Sequence, residues 1–211
     1  MTERIPLSSL MSGADAGTGM AALANRVMNG AVFIYPTETI YGIGGRADNK
    51  EVEKRIRSIK ERQKVSPLIW IADDIRRFKS FHLHFSPNAK RLADKYWPGN
   101  LTLILPSKST PDGVGVRISD HPFITALFSE MSVPIFSTSA NRSDQPYVND
   151  PDAIYKLFDG KVDFMVDAGK LPESKPSTVV KINKDDSVEV LREGVISKEE
   201  IYQIVSLPHG G

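Results

Sequence analysis

Ala31-Val32-Phe33-Ile34-Tyr35 is a continuous apolar run of strand length, and it decides the fold class. A strand open to solvent on one face alternates apolar and polar residues, whereas an unbroken run belongs to a strand covered on both faces. A helix precedes it: Met20, Leu23, Ala24, Val27 and Met28 recur at helical spacing, and Asn29-Gly30 supplies a stop. After it, Tyr35-Pro36-Thr37-Glu38-Thr39-Ile40-Tyr41-Gly42-Ile43-Gly44-Gly45 reads as a hydroxyl-rich and glycine-rich loop leaving the strand end.

The same alternation continues outward. Residues 49–59 form a charged helix with Val52, Ile56 and Ile59 on one side, and residues 67–71 a second buried strand. A helix over 86–96 takes Ser86 as N-cap and Pro87 in its first turn. Strands follow at 101–105 and 114–118, a helix at 121–131, a strand at 133–137, a helix at 151–158 and a strand at 163–166. Residues 178–182 and 188–191 form a closing pair around the polar turn 183–186, and Ser197 with Glu200 opens a C-terminal helix as a capping box. Strands alternating with helices define a layered α/β fold, and the late hairpin makes its sheet mixed. Residues 1–18 show little periodicity and read as an irregular lead-in to one domain with a core over about residues 20–205.

Composition narrows the function. The chain has 211 residues, 40% of them hydrophobic and 25% charged, with a net charge of +1. The whole molecule is therefore no electrostatic magnet for nucleic acid. Without cysteine there is no disulfide, thiolate metal site or cysteine nucleophile. No apolar run reaches the roughly 20 residues that span a bilayer, and the N-terminus lacks a signal-peptide layout. Cytoplasmic location is expected, with no membrane partner.

Three segments can carry chemistry. Thr37, Thr39 and Tyr41 offer hydroxyls at a strand end, where α/β sheets gather ligands. The stretch from Lys54 to Lys64 holds six basic residues and one acid. On charge alone a solvated basic helix explains it better than a phosphate grip by Lys60 and Arg62. In Pro134-Ile135-Phe136-Ser137-Thr138-Ser139-Ala140-Asn141 an apolar strand delivers hydroxyls and an amide to the sheet edge. Ser139 has no nucleophile-elbow glycines, the histidines 82, 84, 121 and 209 show no triad spacing, and no metal set is complete.

Taken in order, Tyr35-Pro36-Thr37-Glu38-Thr39-Ile40-Tyr41-Gly42, Lys60-x-Arg62 with Ser66-Pro67-Leu68, and Trp97-Pro98-Gly99-Asn100-Leu101-Thr102 resemble the YrdC/Sua5 family. Val116-Arg117-Ile118, Ser137-Thr138-Ser139-Ala140-Asn141, Ser177-Thr178-Val179-Val180 and Leu191-Arg192-Glu193-Gly194 complete the likeness, which covers about residues 31 to 197. The resemblance implies a twisted, mixed α/β sheet flanked by helices, with a concave basic face. It implies an L-threonylcarbamoyladenylate synthase, joining ATP, L-threonine and bicarbonate with release of pyrophosphate. Mg2+ would assist, and the product would serve the t6A modification of tRNA through a downstream transferase complex. Lys60 and Arg62 would be the catalytic cations. Arg62, Ser66, Thr102, Asn141, Asn149 and Arg192 would bind ATP, and Thr37, Ser139 and Ser177 would bind threonine. Many members carry histidine where this chain has Ile71, which would wall the threonine pocket. Two other readings are an RNA-binding or ribosome-maturation module on the basic 54–64 face, and a paralogue with another substrate.

Overall fold

The computed structural model describes residues 1–12, 16–60, 68–108, 110, 113–142 and 145–206, with only the backbone of Ser80. The sheet has ten strands: β1 (Glu3–Pro6), β2 (Phe33–Tyr35), β3 (Gly42–Arg46), β4 (Ile69–Ala72), β5 (Leu101–Leu105), β6 (Val114–Ile118), β7 (Ile135–Ser139), β8 (Phe164–Asp167), β9 (Thr178–Ile182) and β10 (Val188–Arg192). Their spatial order is β1-β8-β2-β3-β7-β4-β6-β5-β9-β10. β1/β8, β2/β8, β4/β6 and β5/β9 pair in parallel. The other five pairs are antiparallel, so the sheet is mixed as expected.

Among the described residues seven α-helices flank it: α1 (Leu7–Met11), α2 (Ala16–Met28), α3 (Lys50–Ile59), α4 (Pro87–Tyr96), α5 (Pro122–Glu130), α6 (Pro151–Phe158) and α7 (Lys198–Val205). Their starts follow side-chain chemistry. The Asn49 side chain accepts the Glu51 and Val52 amides, Asp150 those of Asp152 and Ala153, and Ser197 with Glu200 forms the capping box. One apolar cluster joins Phe33 and Tyr35 to Val27 of α2 and to Phe123 and Phe128 of α5. A second joins Ile34, Ile43 and Met165 to Val52 and Ile56 of α3 and to Ile154 and Phe158 of α6. Burial on both sides explains why Ala31–Tyr35 carries no alternation.

Two expectations need correction. The expected irregular lead-in over residues 1–18 is overturned within residues 1–12 and 16–18, since β1 pairs with β8, α1 follows it, and α2 begins at Ala16. β1 shows no alternation because it is a short, largely exposed edge strand held by its ladder. The buried Thr2 hydroxyl donates to the Val162 carbonyl at 2.9 Å and helps fix it. The glycine-rich segment after Tyr41 is not loop either: Gly42–Arg46 is the central strand β3. Glycine is a weak strand former, so tertiary packing makes this strand. Residues opposite one another in register share a face. Tyr35 faces Gly42, Gly42 faces Ser139 and Gly44 faces Ser137. A Cβ at Gly44 would lie 2.2 Å from the Phe136 carbonyl oxygen and 2.8 Å from the Tyr35 ring. The missing side chains make room for the tyrosine.

Candidate active site

That glycine-and-serine face floors a cleft of about 340 Å³. Register carries it further: Ser137 faces Ile69, Ile69 faces Gly115, and Ile71 faces Arg117. The lining includes Thr37, Thr39, Tyr41, Lys60, Ile69, Arg117, Ser137, Ser139, Asn141, Tyr147, Ser177 and Arg192. Among the described residues its cations are Lys60, Arg117 and Arg192, and no carboxylate lines it. Such a lining suits a polyanion.

Lys60 ends α3 and is only 4% exposed. Its ammonium donates to the Ser139 carbonyl at 2.6 Å, to Asn141 Oδ1 at 3.0 Å and to the Asn141 carbonyl. Ser139 Oγ donates to Asn141 Oδ1 at 2.5 Å, and Asn141 Nδ2 to the Gln145 carbonyl at 2.6 Å. The lysine therefore organises the loop after β7. Earlier in the same basic run, Lys54, Arg55 and Arg57 pair with Glu51, Asp163 and Glu53. Those exposed charges are largely neutralised, which argues against an RNA surface built on them.

Opposite, Ser177 and Arg192 form the second wall. Arg192 Nη2 donates to the Ser177 carbonyl at 2.9 Å, and Nη1 reaches the Tyr147 hydroxyl at 3.4 Å. Gly194 permits this closeness, since a Cβ there would lie 2.0 Å from the Pro176 carbonyl oxygen. Thr102 is fully buried behind this wall, its hydroxyl 2.9 Å from Ser177 Oγ, and it does not line the cleft. Thr37 closes its own turn: Oγ1 donates to the Ile40 carbonyl at 2.7 Å and accepts the Thr39 and Ile40 amides at 3.2 Å. Asn149 also lies away from the cleft lining, donating to the Pro172 carbonyl at 3.1 Å. Ile71 is fully buried in the core, and the cleft wall is Ile69 instead. Arg62 and Ser66 lie outside the described residues.

Arg117 is the lining cation given no role from sequence. Nε donates to the Gly99 carbonyl at 2.9 Å and Nη2 to Asn100 Oδ1 at 3.0 Å, while Glu38 forms an ion pair at 2.8 Å. Ser119 Oγ donates to the other Glu38 oxygen at 2.8 Å and accepts the His121 amide at 3.3 Å. His121 Nδ1 accepts the Phe123 amide and caps α5. Burial lowers the His121 pKa against the opposing pull of Glu38 and Asp120. The available signal was an arginine in an otherwise apolar strand, Val-Gly-Val-Arg-Ile. The Tyr41 hydroxyl donates to the Gly169 carbonyl at 2.7 Å, and burial pushes its pKa up to about 12.

The ten-stranded mixed sheet and its cleft define a YrdC-like α/β protein. Sua5 of Pyrococcus abyssi complexed with L-threonine superposes with a TM-score of 0.84 at 26% identity, over 98% of this chain and 61% of that one. Escherichia coli YciO shares the fold, with a TM-score of 0.79 at 24% identity over 95% and 98% of the two chains. The Sua5/YciO/YrdC family model, described as telomere recombination, matches residues 25–194, and the chain belongs to that family. A putative threonylcarbamoyl-AMP synthase of Methanocaldococcus jannaschii is 36% identical over 185 residues, 85% of this chain and 87% of the relative. The threonylcarbamoyl-AMP synthase of Bacillus subtilis is 34% identical over 201 residues, 90% of this chain. This chain spans only 57% of that relative's length.

Proposed function

We propose that this chain is an L-threonylcarbamoyladenylate synthase acting as one YrdC-like domain, with the cleft as its active site. The observation that carries the reading is a lining with, among the described residues, three cations, several hydroxyls and no carboxylate. The threonine nitrogen attacks CO2 or bicarbonate, and a carbamate oxygen then attacks the α-phosphorus of ATP, expelling pyrophosphate. That sequence needs no protein nucleophile, because positioning and charge neutralisation dominate phosphoryl-type transfer.

Arg192 faces the triphosphate, Arg117 adds a cation at the floor, and Arg62 is assigned to ATP binding. Asn141 serves the nucleotide, Ser66 is assigned to ATP binding, and Ser139 and Ser177 orient the amino acid. Lys60 acts through the 139–141 loop, Thr102 through Ser177, and Thr37 by shaping its turn. Among the described residues no group of three or more metal-ligating side chains is assembled. Mg2+ therefore fits as an ion held by the nucleotide phosphates, where it would offset charge on the triphosphate.

Among the described residues no helix is long and apolar enough to cross a membrane. A cytoplasmic enzyme handing its adenylate to a tRNA-modifying transferase is consistent with this. The test is pyrophosphate release from ATP. Release requiring both L-threonine and bicarbonate is expected, and release without either dependence, or none, overturns the reading.

A further inference from the structure

Among the described residues, the Tyr35 hydroxyl is buried without a hydrogen-bond partner. Buried polar groups are almost always paired, so an orphan asks for an explanation. Its position offers one. Gly42 lines the cleft, and a Cβ there would lie 3.1 Å from Tyr35 Cζ and 3.3 Å from the hydroxyl. The hydroxyl therefore sits directly beneath the floor. Two glycines of β3, at 42 and 44, let the ring lie across that strand.

Ser137 stands opposite Gly44 on the same face. Burial pushes the Tyr35 pKa up, and the nearby Ser137 hydroxyl opposes that rise. As it stands, the pair falls short of hydrogen-bond geometry. Ser137 is also paired in register with Ile69, and both line the cleft. A hydroxyl and an aliphatic side chain thus stand side by side on its floor. Their complement is a carbon bearing one hydroxyl and one methyl.

We propose that Tyr35, Ser137 and Ile69 form a specificity corner that reads the hydroxyl and methyl of the amino-acid substrate. Tyr35 is a positioning residue: with substrate bound its hydroxyl donates to Ser137 Oγ, which leaves the serine proton directed at the substrate hydroxyl. Ile69 receives the methyl. The inference deepens the threonine assignment and rests on it for the choice of ligand. A site that hydrogen-bonds a substrate hydroxyl discriminates strongly against the analogue lacking it.

The test is calorimetric affinity for L-threonine against L-2-aminobutyrate, which keeps the methyl and lacks the hydroxyl. It uses the full chain, Tyr35→Phe, Ser137→Ala and the double variant. Pyrophosphate release is assayed separately, so failure of turnover and failure of the corner are read by different measurements. Wild type should prefer threonine, and Tyr35→Phe should reduce that preference about tenfold. Its Tm should hold or rise, because an unpaired buried hydroxyl is removed. Ser137→Ala should lose as much, and the double variant no more than Ser137→Ala, because both act through one hydrogen bond. Additive losses, an unchanged preference in either single variant, or absent threonine binding by folded wild type would overturn the proposal.

Discussion

Arg55 and Lys60 belong to one run of basic residues, and the fold treats them in opposite ways. Arg55 keeps its side chain 41% exposed and pairs with Asp163 at 2.6 Å. Lys60, the first residue past α3, is buried and gives its protons to carbonyl and amide oxygens of Ser139 and Asn141. The local sequence is equally basic at both positions. What differs is access to water. In solvent an ion pair gains little after screening and side-chain entropy. A buried ammonium must have its hydrogen bonds, and so must the oxygens that face it.

The largest effect should therefore come from Lys60→Met, which keeps the length of the stem and removes the charge. It removes the ammonium's hydrogen bonds to the Ser139 and Asn141 oxygens, at a cost of about 3 kcal/mol. For a chain of this size, Tm should fall by roughly 6–12 °C. Activity should fall with it, since the 139–141 loop forms one wall of the cleft. Differential scanning calorimetry alongside pyrophosphate release measures both. A Tm within roughly 2 °C of wild type would erase the contrast with Arg55.

Which parts of this arrangement were legible beforehand follows from the range of the interactions involved. Apolar runs such as 101–105 and 114–118 became strands with the expected bounds, and the Ser86 and Ser197 caps start helices as read. These are local signals. β1 and β3 were missed because pairing with distant strands holds them, the one as a short edge and the other as a glycine-rich centre. The site divides the same way. Ser139, Asn141, Ser177 and Arg192 were picked out by the motifs that carry the family resemblance, and all four line the cleft. The Lys60–Asn141 and Glu38–Ser119 bonds each span 81 residues. No local pattern encodes such a separation, so neither the burial of Lys60 nor the network around Arg117 could be read. Thr102 illustrates the converse: its motif position was clear, but only the structure puts it behind Ser177.

Arg55→Ala sharpens the comparison from the exposed side. Asp163 keeps a second partner, the Val32 amide at 2.8 Å, so the carboxylate is not orphaned. A double-mutant cycle of Arg55→Ala with Asp163→Asn should give a coupling of about 0.2–1 kcal/mol by urea denaturation, shrinking in molar salt. A coupling as large as the Lys60 effect would show that burial is not what separates the two cations.

The smallest expected effect lies at Asp74, which pairs with Arg76 at 2.6 Å and accepts the Arg76 amide at 2.7 Å. Arg76 holds this carboxyl at about 2, well below its ordinary 3.8. A depressed carboxylate pKa means that the folded state resists protonation, so the contribution is complete above the unfolded pKa of about 4. It fades as pH falls through the folded value. Because the arginine side chain is 76% exposed, solvent screening should keep the whole contribution under about 1 kcal/mol. Denaturation midpoints of wild type and Asp74→Asn should differ slightly at pH 5 and converge toward pH 2. A gap that widens on acidification would reverse the sign, and with it the claim that this exposed pair, unlike Lys60, owes its modest value to charge alone.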